Sequence, residues 1–176
     1  ASAKILLHSV NFAETHAKQV AGEWDDLGVQ LAEAATGLER AGADLIALAT
    51  NTMHKCAPAI EAAIEGPFIH IGDTTAEALV RDGRKRPALL GTRFTMEEAF
   101  NRERRDAHGL TPVIPDDDGR RDVHRIIFDE LVHGTMNEGS RGRYIEITKE
   151  LSAKGADSVI LGCTEIGMLL NKEKGF

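Results

Sequence analysis

An α/β fold of two pseudo-symmetric lobes, each a parallel sheet flanked by helices, is predicted by three features of this 176-residue chain. Short apolar runs alternate with longer segments of helical periodicity, the order that builds parallel sheets covered by helices. Residues 40–52 and 153–165 superpose without a gap, each reading as a helix end, a Gly-Ala-Asp turn, a short buried strand and a polar loop. The alternation also restarts near Arg86, so that the repeat is one of whole lobes. The repeated unit ends in the hydroxyl of Thr50 in one copy and the thiol of Cys163 in the other, each eight residues after its glycine. Two facing reactive groups, with an active site between the lobes, are therefore expected.

Taken in order, Lys4 to His8 is an apolar run rich in strand formers and is expected to be a strand. Ser9 to Trp24 is polar and irregular, a loop with some helix. Leu27, Leu31, Ala34, Ala35 and Leu38 recur at helical spacing, with Asp25 or Asp26 as cap and Gly42 as a left-handed stop. Leu45 to Leu48 reads as a strand apolar on both faces, as a central parallel strand is. A helix follows, with Pro58 near its first turn and Gly66 beyond its end. Pro67 to Ile71 is a strand, and Thr74-Thr75-Ala76-Glu77 is a capping box opening a helix that Gly83 closes. Pro87 to Leu90 is the next strand. Thr95-Met96-Glu97-Glu98 is a second capping box, and its helix runs to about Ala107. Thr111 to Ile114 is a strand ended by Pro115. Asp116, Asp117 and Asp118 are either a solvated capping loop or a metal site, the loop being the better reading. Helices from about Arg121 to Val132 and Glu138 to Lys154 lead into the second copy of the repeat.

Composition excludes several classes. A net charge of −7 with scattered basic residues does not make a nucleic-acid surface. No apolar run approaches the ~20 residues of a membrane span, and no secretory leader is present, so a soluble cytoplasmic protein is expected. Two cysteines do not make a disulfide framework. The histidines lack metal-ligand spacing and there is no glycine-rich nucleotide loop, so neither a metal nor an organic cofactor is expected.

In parallel α/β sheets, ligands bind beyond the carboxyl ends of the strands, where Thr50 and Cys163 stand. A helix begins after each loop, so its N–H groups and dipole favour an anion, most simply a carboxylate. Asn51, Thr52 and Thr164 add side-chain donors at the same place. Cys163 in such a loop is expected to have a lowered pKa and to serve as a base or a nucleophile. Cys56, lacking a counterpart in the repeat, reads as a structural core residue. His54, four residues beyond Thr50, either bonds the ligand or packs at the helix start.

At Leu7-His8-Ser9-Val10-Asn11-Phe12, Thr50-Asn51-Thr52-Met53-His54-Lys55, Leu90-Gly91-Thr92-Arg93-Phe94-Thr95-Met96-Glu97 and Gly162-Cys163-Thr164-Glu165-Ile166-Gly167, the chain resembles the aspartate/glutamate racemase family. The resemblance implies a first lobe over 1–85, without the strand the family places before Ala1, and a second lobe over 86–170. It further implies that 171–176 begins a segment returning to the first lobe. A homodimer, no cofactor, and a small amino-acid substrate racemised by a two-base α-proton shuttle are implied as well. Cys163 and Thr50 would be the two bases, with the α-carboxylate on Asn51, Thr52 and Thr164. The resemblance places a cation for the side-chain carboxylate at Arg120 or Arg121, with Arg121 preferred, and lets Thr92 and Thr95 reach the ligand. Thr95 can equally be a plain helix cap.

The chain departs from the family where Thr50 replaces the usual cysteine, since a hydroxyl is a far weaker acid than a thiol. The competing readings are a related cysteine-based isomerase or decarboxylase, of the maleate isomerase, hydantoin racemase or arylmalonate decarboxylase kind, and a degenerate binder of small carboxylates.

Overall fold

Parallel strand pairs flanked by helices make up both halves of the computed structural model, which describes residues 2–170. The chain divides into two compact units: residues 2–49 with Met53–Ile71, and Thr50–Thr52 with the chain from Gly72 onward.

In the first unit, Asn11 caps helix α1 (Phe12–Ala21) by accepting from the Ala13 amide. This helix occupies most of the segment expected to be a loop with some helix. Helix α2 (Trp24–Arg40) begins without a side-chain cap, and Asp25 and Asp26 lie in its first turn, where they complement the helix dipole instead of capping. Its stripe of Leu27, Leu31 and Ala35 packs with Ile60 of helix α3 (Ala57–Ala63), Ile46, Met53 and Cys56. Gly28 lets α3 come close, since a Cβ there would lie 3.2 Å from that of Ala59. Strand β1 (Ile46–Ala47) pairs in parallel with β2 (Phe68–Ile69), Ile46 opposite Phe68. Both are shorter than expected, and Leu45, Ala47 and Ile69 are exposed, so β1 is not buried on both faces. The run Lys4 to His8 forms no strand: Ile5 and Leu7 are 79% and 83% exposed, and among the described residues no neighbouring strand supplies the ladder bonds an extended segment needs.

Cys56 is buried, and burial pushes its thiol up to about 11, with Lys55 countering and Asp25 reinforcing. The folded state therefore binds this proton more tightly than the unfolded chain. The resulting stabilisation is complete below the ordinary thiol value of 9.0 and is lost as pH rises towards 11. Cys56→Ala is expected to flatten that alkaline loss by about 2 kcal/mol, read from urea unfolding at the two ends of the range.

The second unit holds helix α4 (Ile71–Arg81), strand β3 (Pro87–Leu90), the short helix α5 (Arg93–Glu97) and helix α6 (Ala99–Ala107). Helices α7 (Asp117–Asp129) and α8 (Glu138–Ala153), strand β4 (Ser158–Leu161) and the single turn α9 (Ile166–Leu169) complete it. All four residues of β3 are buried, and it pairs in parallel with β4 from Pro87–Ser158 to Leu90–Leu161. Only one bridge, Ala88 to Val113, forms where Thr111 to Ile114 was expected to be a strand. Val123, Ile126 and Ile127 of α7 and Tyr144, Ile147 and Leu151 of α8 cover the sheet at helical spacing.

Both expected capping boxes start later than the helices do. Helix α4 begins at Ile71, three residues before Thr74. The cap of α5 is Thr92, which accepts from the Thr95 amide, and Glu98 interrupts the helix with extended backbone before α6. Asp116 caps α7 through the Gly119 amide, while Asp117 and Asp118 pair with Arg120 and Arg121. Capping and ion pairing thus account for the acidic run.

A carboxylate fixes the entry end of each sheet. Asp157 accepts from the Lys85 and Arg86 amides at 2.8 and 3.1 Å, immediately before β3. Glu39 accepts from the Glu65 and Gly66 amides at 3.0 and 2.6 Å, just before β2. The segment 171–176, expected to return to the first lobe, lies outside the described residues.

Candidate active site

The exit ends of β3 and β4 meet at two glycines. The Gly162 amide donates to the Leu90 carbonyl at 2.6 Å. A Cβ on Gly162 would sit 2.9 Å from that oxygen and 3.2 Å from Thr95 Cγ2, and one on Gly91 would meet Thr95 at 3.1 Å. Only glycine leaves space for the two strand ends and the Thr95 methyl to pack together. This packing brings the loops that follow the strands, Gly91-Thr92 and Gly162-Cys163, side by side.

Three hydroxyls gather at this end. Thr92 Oγ1 lies 3.0 Å from Thr52 Oγ1 and 3.3 Å from Thr95 Oγ1, and all three residues are buried. The capping bond made by Thr92 orients its hydroxyl, and Thr95 holds the chain of oxygens from one turn later. Thr50 and Asn51 precede Thr52 and are half-buried. The Asn51 side-chain oxygen is buried with no hydrogen-bond partner among the described residues.

Cys163 is half-buried, and its thiol donates to Glu165 Oε2 at 2.9 Å. Thr164 Oγ1 donates to the same oxygen at 2.7 Å. The lowered pKa expected for this thiol is reversed: burial, and then Glu165, push it up to about 12. The Thr164 and Glu165 amides favour the thiolate but are outweighed. A helix of four residues adds little, because few peptide dipoles are summed in it. For Glu165, burial opposes the charge, but the bonds from Cys163, Thr164 and its own amide hold the carboxyl below its usual range.

Two further expected ligand groups have partners of their own. Arg121 is exposed, pairs with Asp118, and lines a cleft of about 410 Å³ with Arg93, Glu97, Asp117 and Arg120. His54 belongs to the first unit and is 1% exposed. Its Nε2 accepts from the Ile71 amide at 3.1 Å, and its ring meets His70 edge-on at 4.4 Å. Its ring is thus packed within the first unit. Glu165 went unread in the sequence, although a carboxylate two residues beyond the Cys163 thiol was the signal for it.

The family model for Asp/Glu/Hydantoin racemase matches residues 1–174. The chain belongs to this family. Among curated relatives, the broad specificity amino-acid racemase RacX of Bacillus subtilis (strain 168) is 26% identical over 147 residues, 84% of this chain. The chain spans 63% of the length of that relative. A candidate Asp/Glu racemase from Yersinia pestis, known as a crystal structure, is 45% identical with a TM-score of 0.90, over 98% of this chain and 76% of that one. An aspartate racemase homologue from Pyrococcus horikoshii OT3 is 34% identical with a TM-score of 0.81, over 96% and 73%. The mixed α/β architecture is thus that of the Asp/Glu racemase folds. Among the described residues, no helix is long and apolar enough to cross a membrane.

Proposed function

We propose that this member of the racemase family is a cofactor-independent amino-acid racemase that interconverts the L and D forms of aspartate or glutamate. The observation that supports this most is the thiol of Cys163, held at the exit of β4 beside the hydroxyl cluster of Thr52, Thr92 and Thr95. Cys163 takes the α-proton from one face, and Thr50 serves the other. Asn51, Thr52 and Thr164 receive the substrate's polar groups, and their donors stabilise the charge that develops beside the α-carboxylate. Arg121 or a neighbour in its cleft is the candidate partner of the side-chain carboxylate.

The buried Asn51 oxygen favours an amino acid over a plain dicarboxylate such as maleate. An α-ammonium carries the donors that oxygen lacks, whereas a buried acceptor left unpaired costs about 1–3 kcal/mol. The replacement of a thiol by Thr50 favours the second reading, a binder that turns nothing over.

Incubation with L- or D-aspartate and L- or D-glutamate in D2O separates the two. α-Deuterium appearing together with the opposite enantiomer is the expected result. Binding without any exchange would leave the binder. Thr50→Cys is expected to raise exchange in the slower direction, because a thiol is a far stronger acid than a hydroxyl, and chiral chromatography of both directions measures it.

A further inference from the structure

We infer that His124 is a positioning residue for the hydroxyl cluster, acting through the Arg93 peptide unit. Its effect on turnover rests on the racemase reading above. His124 stands on α7, 31 residues further along the chain, and its Nδ1 accepts from the Arg93 amide at 3.2 Å. To accept there Nδ1 must be unprotonated, so the neutral ring carries its proton on Nε2. The Arg93 amide shares a planar peptide unit with the Thr92 carbonyl, and holding its N–H therefore sets the backbone turn at Thr92. Thr92 Oγ1 is pinned on its other side by the Thr95 amide and lies 3.0 Å from Thr52 Oγ1. A single imidazole nitrogen thereby governs where two hydroxyls stand, and Thr52 is one of the groups assigned above to the substrate.

Three features support a role beyond packing. Helix α5 has five residues, too few to hold its own shape, because so short a helix does not recover the cost of its first turn. It therefore takes its orientation from α7, to which it is tied at both ends. At the far end Arg120 Nε donates to Glu97 Oε1 at 2.8 Å, while Arg120 Nη1 donates to the Pro115 carbonyl at 2.7 Å. At the near end the amide that His124 takes up is the first N–H of α5, one of those a helix cannot satisfy internally. The His124 ring is itself held, with its centroid 4.7 Å from that of Phe128 and 6.5 Å from that of Phe94. The acceptor is thus presented from a packed ring and not from a freely turning side chain.

The test compares His124→Asn, whose Oδ1 can take the place of Nδ1, with His124→Phe, which keeps a ring against Phe128 and has no acceptor. Two readouts are used. The first is kcat and KM for α-proton exchange of the acidic amino acids in D2O. The second, free of substrate, is hydrogen exchange of the Arg93 amide followed by NMR. His124→Phe is expected to raise KM roughly tenfold with kcat nearly kept, because a polar contact made alike in the bound and transition states is lost. It should also speed exchange of the Arg93 amide by about tenfold. His124→Asn should stay close to the parent in both. A packing role predicts the opposite order, so an Asn variant impaired as much as the Phe variant overturns the proposal. A His124→Phe protein with the parent KM overturns it too, as does a raised KM with an unmoved Arg93 amide. If His124→Phe does not fold, His124→Leu, which also lacks the acceptor, takes its place. Should the unsubstituted protein exchange no α-proton, the racemase reading fails. The hold of His124 on Arg93 is then decided by the amide alone, and unaltered protection in His124→Phe overturns it.

Discussion

Cys163→Ala is expected to abolish α-proton exchange, by on the order of 10³-fold or more, whichever acidic amino acid is supplied. The loss should be complete because no neighbouring group can take over the role. Glu165 is a carboxylate held below its usual range, and Tyr144 is a neutral phenol locked onto the Val123 carbonyl. Cys163→Ser is expected to recover little, since it places at β4 the same weakly acidic hydroxyl that Thr50 presents in the other copy of the repeat. Substrate binding should survive in both variants, because the donors assigned to the carboxylate belong to other residues. Calorimetric titration beside the exchange assay therefore separates lost chemistry from lost binding. A Cys163→Ala protein that exchanged at the parent rate would remove this thiol from the reaction altogether.

Gly162→Ala is expected to cost about 1–3 kcal/mol of stability, the range for overpacking a filled site. Its new methyl would meet the Leu90 carbonyl at 2.9 Å, Thr95 Cγ2 at 3.2 Å and Leu89 Cδ1 at 3.3 Å. The first of these is backbone, so the strand ends must part before the methyl fits. Activity should fall further than stability alone explains, because the displaced residue carries Cys163 with it. Gly167, five residues later, is the matching control. A Cβ there meets nothing within 4 Å, and Gly167→Ala should be neutral or stabilising by a few tenths of a kcal/mol, given the entropy that glycine loses on folding. Thermal melts of the two variants side by side test the comparison.

The alternation of elements and the duplicated strand-to-loop unit were legible because both are written in consecutive residues. The loops that carry Thr50 and Cys163 could likewise be picked out, since each follows the strand of a repeated unit. What could not be read depended on neighbours distant in the chain. Lys4 to His8 has the composition of a strand, but composition does not supply a pairing partner. Thr92 and Thr95 are spaced alike for capping, and the choice of Thr92 follows from the packing of the Thr95 methyl on Gly91 and Gly162. Cys163 stands before a helix, which points to a lowered thiol, but burial and the carboxylate two residues on outweigh that position and raise it. His54, four residues beyond Thr50, reads as either a ligand group or a packing residue, and the contacts of its ring with His70 and the Ile71 amide depend on residues that its local sequence does not reveal.

The carboxylate clamps of Asp157 and Glu39 have a consequence for how this architecture tolerates change. Each ties down the backbone where a strand enters its sheet, before any residue of the opposite end is reached. Alignment of the paired strands is thereby set from the end remote from the strand exits. A thiol can be exchanged for a hydroxyl at the far end without sliding one strand past its neighbour. The pairing of the strands and the residues at their exits can therefore vary separately, so that a position such as Thr50 can change while the strand register is kept.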